Sequence, residues 1–169
     1  MIRKAVLSDL KNVFDIYLKA IEKLRSLGIE QWDDIYPDLD TIKNDIERGE
    51  MYIMPLNGHI AACGVINREC EGYEGGNWKY GSNFRVIHRL CVNVDFQSMG
   101  IGKKMLQCLE DEIRKMKFDS VRIDVLPNNK RAVELYKNFG YADVGKVEYR
   151  KGVFRLYEKN LKWKLEIFL

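Results

Sequence analysis

Between Val92 and Lys104 the chain reads Val-Asn-Val-Asp-Phe-Gln-Ser-Met-Gly-Ile-Gly-Lys-Lys, a strand pattern that runs into a glycine-bearing turn and then an amphipathic helix. Successive backbone N–H groups at such a helix start have no partner within the helix, and the positive end of the helix dipole lies behind them, so the turn favours a phosphate or pyrophosphate. Gly100 and Gly102 let the backbone approach an anion with no Cβ in the way, and Lys103 and Lys104 add positive charge. A tight connection without a ligand is the competing reading, and two glycines alone would leave it the better one. The turn is neither G-x-x-x-x-G-K-[ST] nor G-x-G-x-x-G, and it comes late in the chain rather than in a first βαβ unit, so the ligand is neither that of a Walker loop nor a dinucleotide.

The elements that must position this turn follow from hydrophobic spacing. Ser8 is placed to cap a helix running to Leu27, with Leu10, Val13, Phe14, Tyr17, Ile21 and Leu24 at three- and four-residue intervals. A second helix is expected from about Thr41 to Arg48, stopped by Gly49. Met51 to Met54 and Ile60 to Ile66 read as strands joined at Asn57-Gly58, a hairpin dipeptide. Arg68 to Phe84 mixes Gly72, Gly75, Gly76 and Gly81 with Tyr73, Trp78 and Tyr80, which predicts a long loop or irregular hairpin that covers something. Val86 to Val94 reads as a strand, Gly100 to Met116 as a helix, Ser120 to Val125 as a strand and Asn129 to Phe139 as a helix. Two final strands are expected over Tyr141 to Val147 and Phe154 to Lys159. The order is α/β with a mixed sheet.

At 169 residues the chain has the length of one domain and buries a core without staples. With 46% hydrophobic and 31% charged residues and only 3 Pro, it is neither disordered nor collagen-like. A formal charge of +3 gives no footing for a nucleic acid or membrane partner. Cys63, Cys70, Cys91 and Cys108 show no C-x-x-C spacing, and with only His59 and His88 beside them no metal site is expected. No signal-like segment or membrane-length apolar run is seen, so a cytoplasmic protein with reduced thiols is expected.

Two motifs in order carry a resemblance. Gln97, Gly100 and Gly102 meet [QR]-x-x-G-x-[GA], and about thirty residues on Asn129, Ala132, Leu135, Tyr136, Gly140 and Tyr141 meet N-x-x-A-x-x-L-Y-x-x-x-G-[FY]. The chain resembles the GNAT (Gcn5-related) N-acetyltransferases, above all small bacterial members with an uncharacterised acceptor. The likeness spans residues 1–160, and only the tail at 161–169 falls outside it. It implies the GNAT fold, a mixed and largely antiparallel central sheet splayed at the cofactor strand and flanked by about four helices, with acetyl-CoA as cofactor.

By that resemblance the backbone of Leu90, Cys91 and Val92 pairs with the pantetheine arm. The amides of Gln97, Ser98, Met99, Gly100, Ile101, Gly102 and Lys103 hold the pyrophosphate, and Asn129 and Ala132 line the arm, with Lys137 a candidate for the 3′-phosphate. The reaction is acetyl transfer to a primary amine by direct attack in a ternary complex. An alkyl ammonium with a pKa near about 10.4 must first lose a proton, and the departing thiolate gains from a donor. Tyr136 matches the family's general acid and also lines the cofactor arm; its alternative is a core aromatic. Asp124 and His88 are the candidate bases. His88 is expected to face with Leu90 and Val92, and Val86 stands where other relatives carry a glutamate. Structural roles for both, with deprotonation through ordered water, are the alternative.

The acceptor is expected at the early helices and the Arg68 to Phe84 loop, where Trp32, Tyr36, Trp78 and Tyr80 are candidates for an aromatic wall and Asp33, Asp34 and Asp38 for drawing in an ammonium. Trp78 is the foremost of these; aspartates that cap turns and aromatics that pack the loop are the alternative. The acceptor is a small-molecule or peptide amine. A non-catalytic acyl-CoA-binding or sensor module and a protein-directed acetyltransferase are the competing functions. Leu161, Trp163, Leu165, Ile167 and Leu169 alternate with Lys162, Lys164, Glu166 and Phe168, which predicts a strand and, through its apolar face, a homodimer contact unless it folds back on its own domain.

Overall fold

The computed structural model describes residues 1–162. Seven strands form one sheet in the order β1-β2-β3-β4-β5-β7-β6: β1 Arg3–Lys4, β2 Met51–Leu56, β3 His59–Asn67, β4 Phe84–Val92, β5 Ser120–Val125, β6 Ala142–Tyr149 and β7 Gly152–Asn160. Every neighbouring pair is antiparallel except β4 with β5. Four helices flank the sheet, α1 Leu10–Ser26, α2 Leu39–Glu47, α3 Ile101–Lys115 and α4 Lys130–Asn138. This is the α/β class and the mixed, largely antiparallel sheet expected.

Two features of β4 position the site. It pairs with β5 only over Phe84 to Val86 against Ser120 to Arg122, so beyond those residues the two parallel strands part and leave a wedge between them. Against β3 its register shifts: Val65 lies opposite His88 and Cys63 opposite Cys91, so Gly64 alone faces both Arg89 and Leu90. Arg89 takes a left-handed φ of 52°, and its carbonyl accepts a 2.6 Å hydrogen bond from the buried Tyr17 hydroxyl on α1. The bulge overturns one expectation. A side chain alternates with period two only while the strand is regular, and here the extra residue puts Ile87, rather than His88, in the same core cluster as Leu90 and Val92.

α1 and α2 pack on one face of the sheet around Val13, Tyr17, Ile42 and Ile53, and α3 and α4 on the other around Met105, Leu106, Leu109 and Tyr136. α3 buries Met105, Leu106, Leu109 and Ile113 on one stripe, each contributing about 2 kcal/mol. That burial outweighs the roughly 1 kcal/mol of an unfavourable turn at its start and holds the turn in place. The hairpin at Asn57-Gly58 has φ of 51° and 77°, the two positive values its turn requires.

Ser8 does not cap α1. It sits inside a 3-10 turn at Leu7–Asp9, and the Asp9 carboxylate accepts the Val6 amide at 2.8 Å while pairing with Arg3. The segment from Arg68 to Asn83 is a loop with one 3-10 turn, docked on β6 by a bridge between Gly76 and Gly145 and by the Asn77 amide on the Val144 carbonyl at 2.7 Å. A Cβ at Gly145 would lie 2.4 Å from the Gly75 carbonyl oxygen, so glycine permits this contact. The buried Glu158 carboxylate accepts the amides of Lys79 and Tyr80 and pins the far end of the loop. The predicted tail strand and homodimer contact fall on residues 163–169, outside the described residues. Leu161, the first apolar position of that pattern, is buried in the domain's own core, and its amide donates to the Asp119 carbonyl at 2.7 Å.

Candidate active site

The wedge between β4 and β5 opens into two cavities. The smaller, about 560 Å³, runs from Leu90, Cys91 and Val92 along Gln97, Ser98, Gly100, Ile101, Gly102 and Lys103 to Asn129, Arg131 and Ala132. Gly100 is the N-cap of α3 with φ of 74°, which turns the chain so that the first-turn amides point outward. Among the described residues no group accepts a hydrogen bond from the amides of Ser98 to Lys103. Arg131, at the start of α4, reaches across the turn and donates to the Ser98 hydroxyl at 2.9 Å. Asn129 caps α4 by accepting the Ala132 amide at 3.2 Å, and its Nδ2 donates to Gln31 at 2.9 Å, which ties the segment after α1 to this cavity.

The larger cavity, about 1030 Å³, lies on the other side of the wedge and is lined by residues of α2, β4, β5, the 68–83 loop and the β6–β7 turn. Its charged lining balances: Asp45, Glu69, Glu71 and Asp124 are four acids, and Arg48, Arg89, Arg150 and Lys151 are four bases. Asp33 accepts both guanidinium Nη groups of Arg150 at 2.8 and 2.9 Å and lies 3.3 Å from Lys151, which straps the 31–38 segment across the β6–β7 turn. The Arg150 guanidinium holds the Asp33 carboxyl well below the usual range, with the amides of Ile35 and Tyr36 adding to the effect.

Tyr136 lines both cavities and marks where they meet. Its ring packs edge-on against Tyr141 at 5.7 Å, and among the described residues its hydroxyl has no hydrogen-bond partner. Burial, and then the nearby Asp124, raise its pKa, so the phenol is protonated at neutral pH. Asp124 is partly buried on β5 and accepts the Tyr73 hydroxyl at 2.9 Å. Burial raises its carboxyl above the usual range, against the opposing hydrogen bonds from Tyr73 and Tyr149 and the charge of Arg89. The His88 imidazole is lowered to about 4, by burial first and by Arg89 second. Its Nε2 lies 2.9 Å from the Glu69 carbonyl, which only accepts, so the proton sits on Nε2 and the Nδ1 lone pair has no partner among the described residues.

Residues 12–141 match the acetyltransferase (GNAT) family, a span that includes both sequence motifs. The chain belongs to the GNAT family. It is 30% identical over 159 residues, 93% of each chain, to the S-(2-succino)cysteine N-acetyltransferase of Bacillus subtilis. A GNAT acetyltransferase of Streptococcus agalactiae superposes with a TM-score of 0.86 over 97% of this chain and 96% of that one, at 25% identity. An acetyltransferase of Salmonella typhimurium, solved with its cofactor acetyl-CoA, shares the fold with a TM-score of 0.69 over 96% and 94% of the two chains, at 19% identity.

As a GNAT protein the chain is an acyltransferase, and the family uses acetyl-CoA. The smaller cavity fits that cofactor: a row of amides unpaired among the described residues and the cations Lys103 and Arg131 suit a diphosphate, and the half-buried Leu90 and Val92 suit an apolar arm. Of the residues expected there, all but Met99 line the cavity; Met99 is exposed, with its backbone in the turn. Lys137 is not among the lining residues, and Arg131, which the sequence reading missed, is.

Trp32 and Tyr36, the candidate acceptor contacts, and His88 and Asp124, the candidate bases, all line the larger cavity, with the bulge of β4 between His88 and Leu90. Trp78 does not line it, contrary to expectation. Its ring stacks on Tyr73 at 5.4 Å, its Nε1 donates to the Tyr73 carbonyl at 2.8 Å and the Arg122 guanidinium covers it, so it props the loop. The aspartates after α1 serve turns and ion pairs: Asp38 caps α2 through Thr41 at 2.8 Å, and Asp34 lies 3.5 Å from Arg25. Tyr73, Tyr149 and Arg89 were missed. The glycine-aromatic loop was the one signal pointing toward Tyr73; nothing local marks the other two.

Proposed function

We propose that the protein transfers the acetyl group of acetyl-CoA to the primary amine of a small acceptor held in the larger cavity, by direct attack in a ternary complex. The observation that supports this most is Tyr136, buried where the two cavities meet with a hydroxyl that makes no hydrogen bond among the described residues. Bound acetyl-CoA supplies the thioester carbon that the amine attacks and the thiolate that leaves.

The chain's own residues then divide the work. The amides of Ser98 to Lys103, with Lys103 and Arg131, bind the diphosphate, and Leu90 to Val92 orient the arm. Asp124 takes a proton from the entering ammonium; its raised pKa brings a carboxylate closer to the pH at which a base is useful. His88, neutral and tied at Nε2, offers Nδ1 as the second acceptor. Tyr136 donates its hydroxyl proton toward the sulfur. The burial that raises the phenol also raises the proton affinity of a thiolate formed beside it, so the two stay matched. One N–C bond forms and one C–S bond breaks. The ammonium gives up two protons in all, one is taken by the thiolate, and one is released to solvent.

A cavity of about 1030 Å³ with a balanced charged lining is of the size that small-molecule sites take, which supports a small acceptor. The test is release of free thiol from acetyl-CoA across a panel of amines, with initial rates measured while both substrates are varied. Intersecting double-reciprocal lines are expected; binding of acetyl-CoA with no thiol released by any amine would favour a sensor.

A further inference from the structure

Arg89 occupies an unusual place. It stands at the β4 bulge in a left-handed conformation, with its side chain only 5% exposed, and it lines the larger cavity together with Tyr36 and Asp45, the residues its guanidinium contacts. Asp45 receives Nε at 2.9 Å and Nη2 at 2.6 Å, and Nη1 donates to the Tyr36 hydroxyl. A guanidinium carries five N–H groups, and these contacts use three. The remaining two, one on each Nη, have no acceptor among the described residues. The core gains little from such a pair, since a buried ion pair is at best weakly stabilising against apolar residues of the same volume. Strain in the backbone and spare donors in a cavity together mark a group held for a ligand.

We propose that Arg89 anchors a carboxylate of the acceptor, so that the amine acetylated here belongs to an amino acid or a related amino-carboxylic acid. This rests on the acetyltransferase reading above and deepens it. Two parallel N–H groups of a guanidinium match the two oxygens of a carboxylate. The opposite pole of the same ligand finds Asp124, a partly buried carboxylate with no cation partner within the described residues, next to Tyr136. A zwitterion is also what the balanced lining suits, since a polyamine with several positive charges would need an excess of acids there.

The experiment uses the full chain and pairs of amines that differ only in the carboxylate: amino acids, with S-(2-succino)cysteine among them, each beside its decarboxylated counterpart. Thiol release well below saturation reports kcat/KM. A preference of at least about 10-fold for the carboxylated member of a productive pair is expected, and it should collapse in Arg89→Lys, which keeps a charge for Asp45 but loses the fork. Equal or better turnover of the decarboxylated amines, or of a polyamine, overturns the proposal while leaving the acetyltransferase reading intact. If no amine releases thiol, that reading fails instead, and calorimetry decides the anchor separately. Succinate should then bind the CoA-loaded protein and lose affinity in Arg89→Gln, with folding checked by circular dichroism. Absence of carboxylate binding, or binding unaffected by the substitution, overturns it.

Discussion

The two halves of the wedge are built in opposite ways. The side proposed for the cofactor is mostly backbone: a single turn from Gln97 to Lys103, a glycine N-cap and six amides without partners among the described residues, all within one strand-turn-helix unit. The side proposed for the acceptor is almost wholly side chains, drawn from the 31–38 segment, α2, the bulge of β4, the end of β5, the 68–83 loop and the β6–β7 turn. A site made of backbone tolerates changes in side chains but not in conformation, whereas a site made of buried side chains depends on each partner.

The largest effect therefore belongs to the turn. Gly100→Glu puts a side chain and a negative charge in the anion position, and calorimetry should show CoA binding abolished, a loss of at least about 100-fold. Gly100→Ala separates charge from conformation. A Cβ there meets nothing within 4 Å, so it should cost roughly 1 kcal/mol of stability for the left-handed φ and keep most of the affinity. Equal loss in both variants would mean that geometry, not the anion, is what the glycine protects.

This contrast also explains what the sequence made legible. The turn and the Asn129 to Tyr141 motif are local, so spacing pointed to Gly100 and Gly102, the family resemblance carried Asn129 and Tyr136, and hydrophobic period gave β5 its observed bounds. The acceptor side depends on long-range contacts that no window contains. Tyr73 reaches Asp124 across 51 positions, and Arg89 reaches Asp45 across 44. The bulge is the clearest case: a one-residue slip between β3 and β4 reverses which side chains share a face, and it is fixed by Tyr17, 72 residues away. Trp78 misled for the same reason, because an aromatic in a glycine-rich loop looks alike whether it lines a cavity or props the wall behind it.

Next in size is Asp124→Asn, expected to lower kcat by about 100-fold or more if the carboxylate is the base, with loss of the acidic limb of the kcat/KM profile. The sign for stability runs the other way. Because burial raises the folded-state pKa above the unfolded value, the fold favours the protonated acid, and stability falls as pH rises from the unfolded value through the folded one. At neutral pH the charged carboxylate is a cost, so the Asn variant should melt higher than wild type while working worse. A variant that melts lower would show Asp124 to be structural. Tyr73→Phe removes a hydrogen bond that lowers this pKa and should move the acidic limb upward without erasing it.

Tyr136→Phe removes only a hydroxyl at the junction of the two cavities. It should lower kcat by about 10- to 100-fold and leave the KM for acetyl-CoA close to wild type, since no hydrogen bond of the fold is lost. A parallel rise in that KM would mean the phenol binds the cofactor rather than serving the leaving group. An unchanged kcat under conditions where chemistry limits would leave protonation of the thiolate to solvent.

The smallest effect is expected at Trp78, where it sharpens the boundary of the acceptor side. Trp78→Phe keeps a ring on Tyr73 but loses the Nε1 bond to the Tyr73 carbonyl and part of the surface under Arg122. Losing one partly buried hydrogen bond should cost about 1 kcal/mol, seen as a lower Tm. Because the indole stays outside the cavity, acceptor KM should stay within about twofold across every amine tested. Any effect on rate must pass through Tyr73 to Asp124 and so would appear as a small displacement of the acidic limb, in the same direction as Tyr73→Phe and weaker. A change in acceptor KM that depends on which amine is used, with no shift in that limb, would place Trp78 against the substrate and move the wall of the acceptor cavity outward to include the loop it now supports.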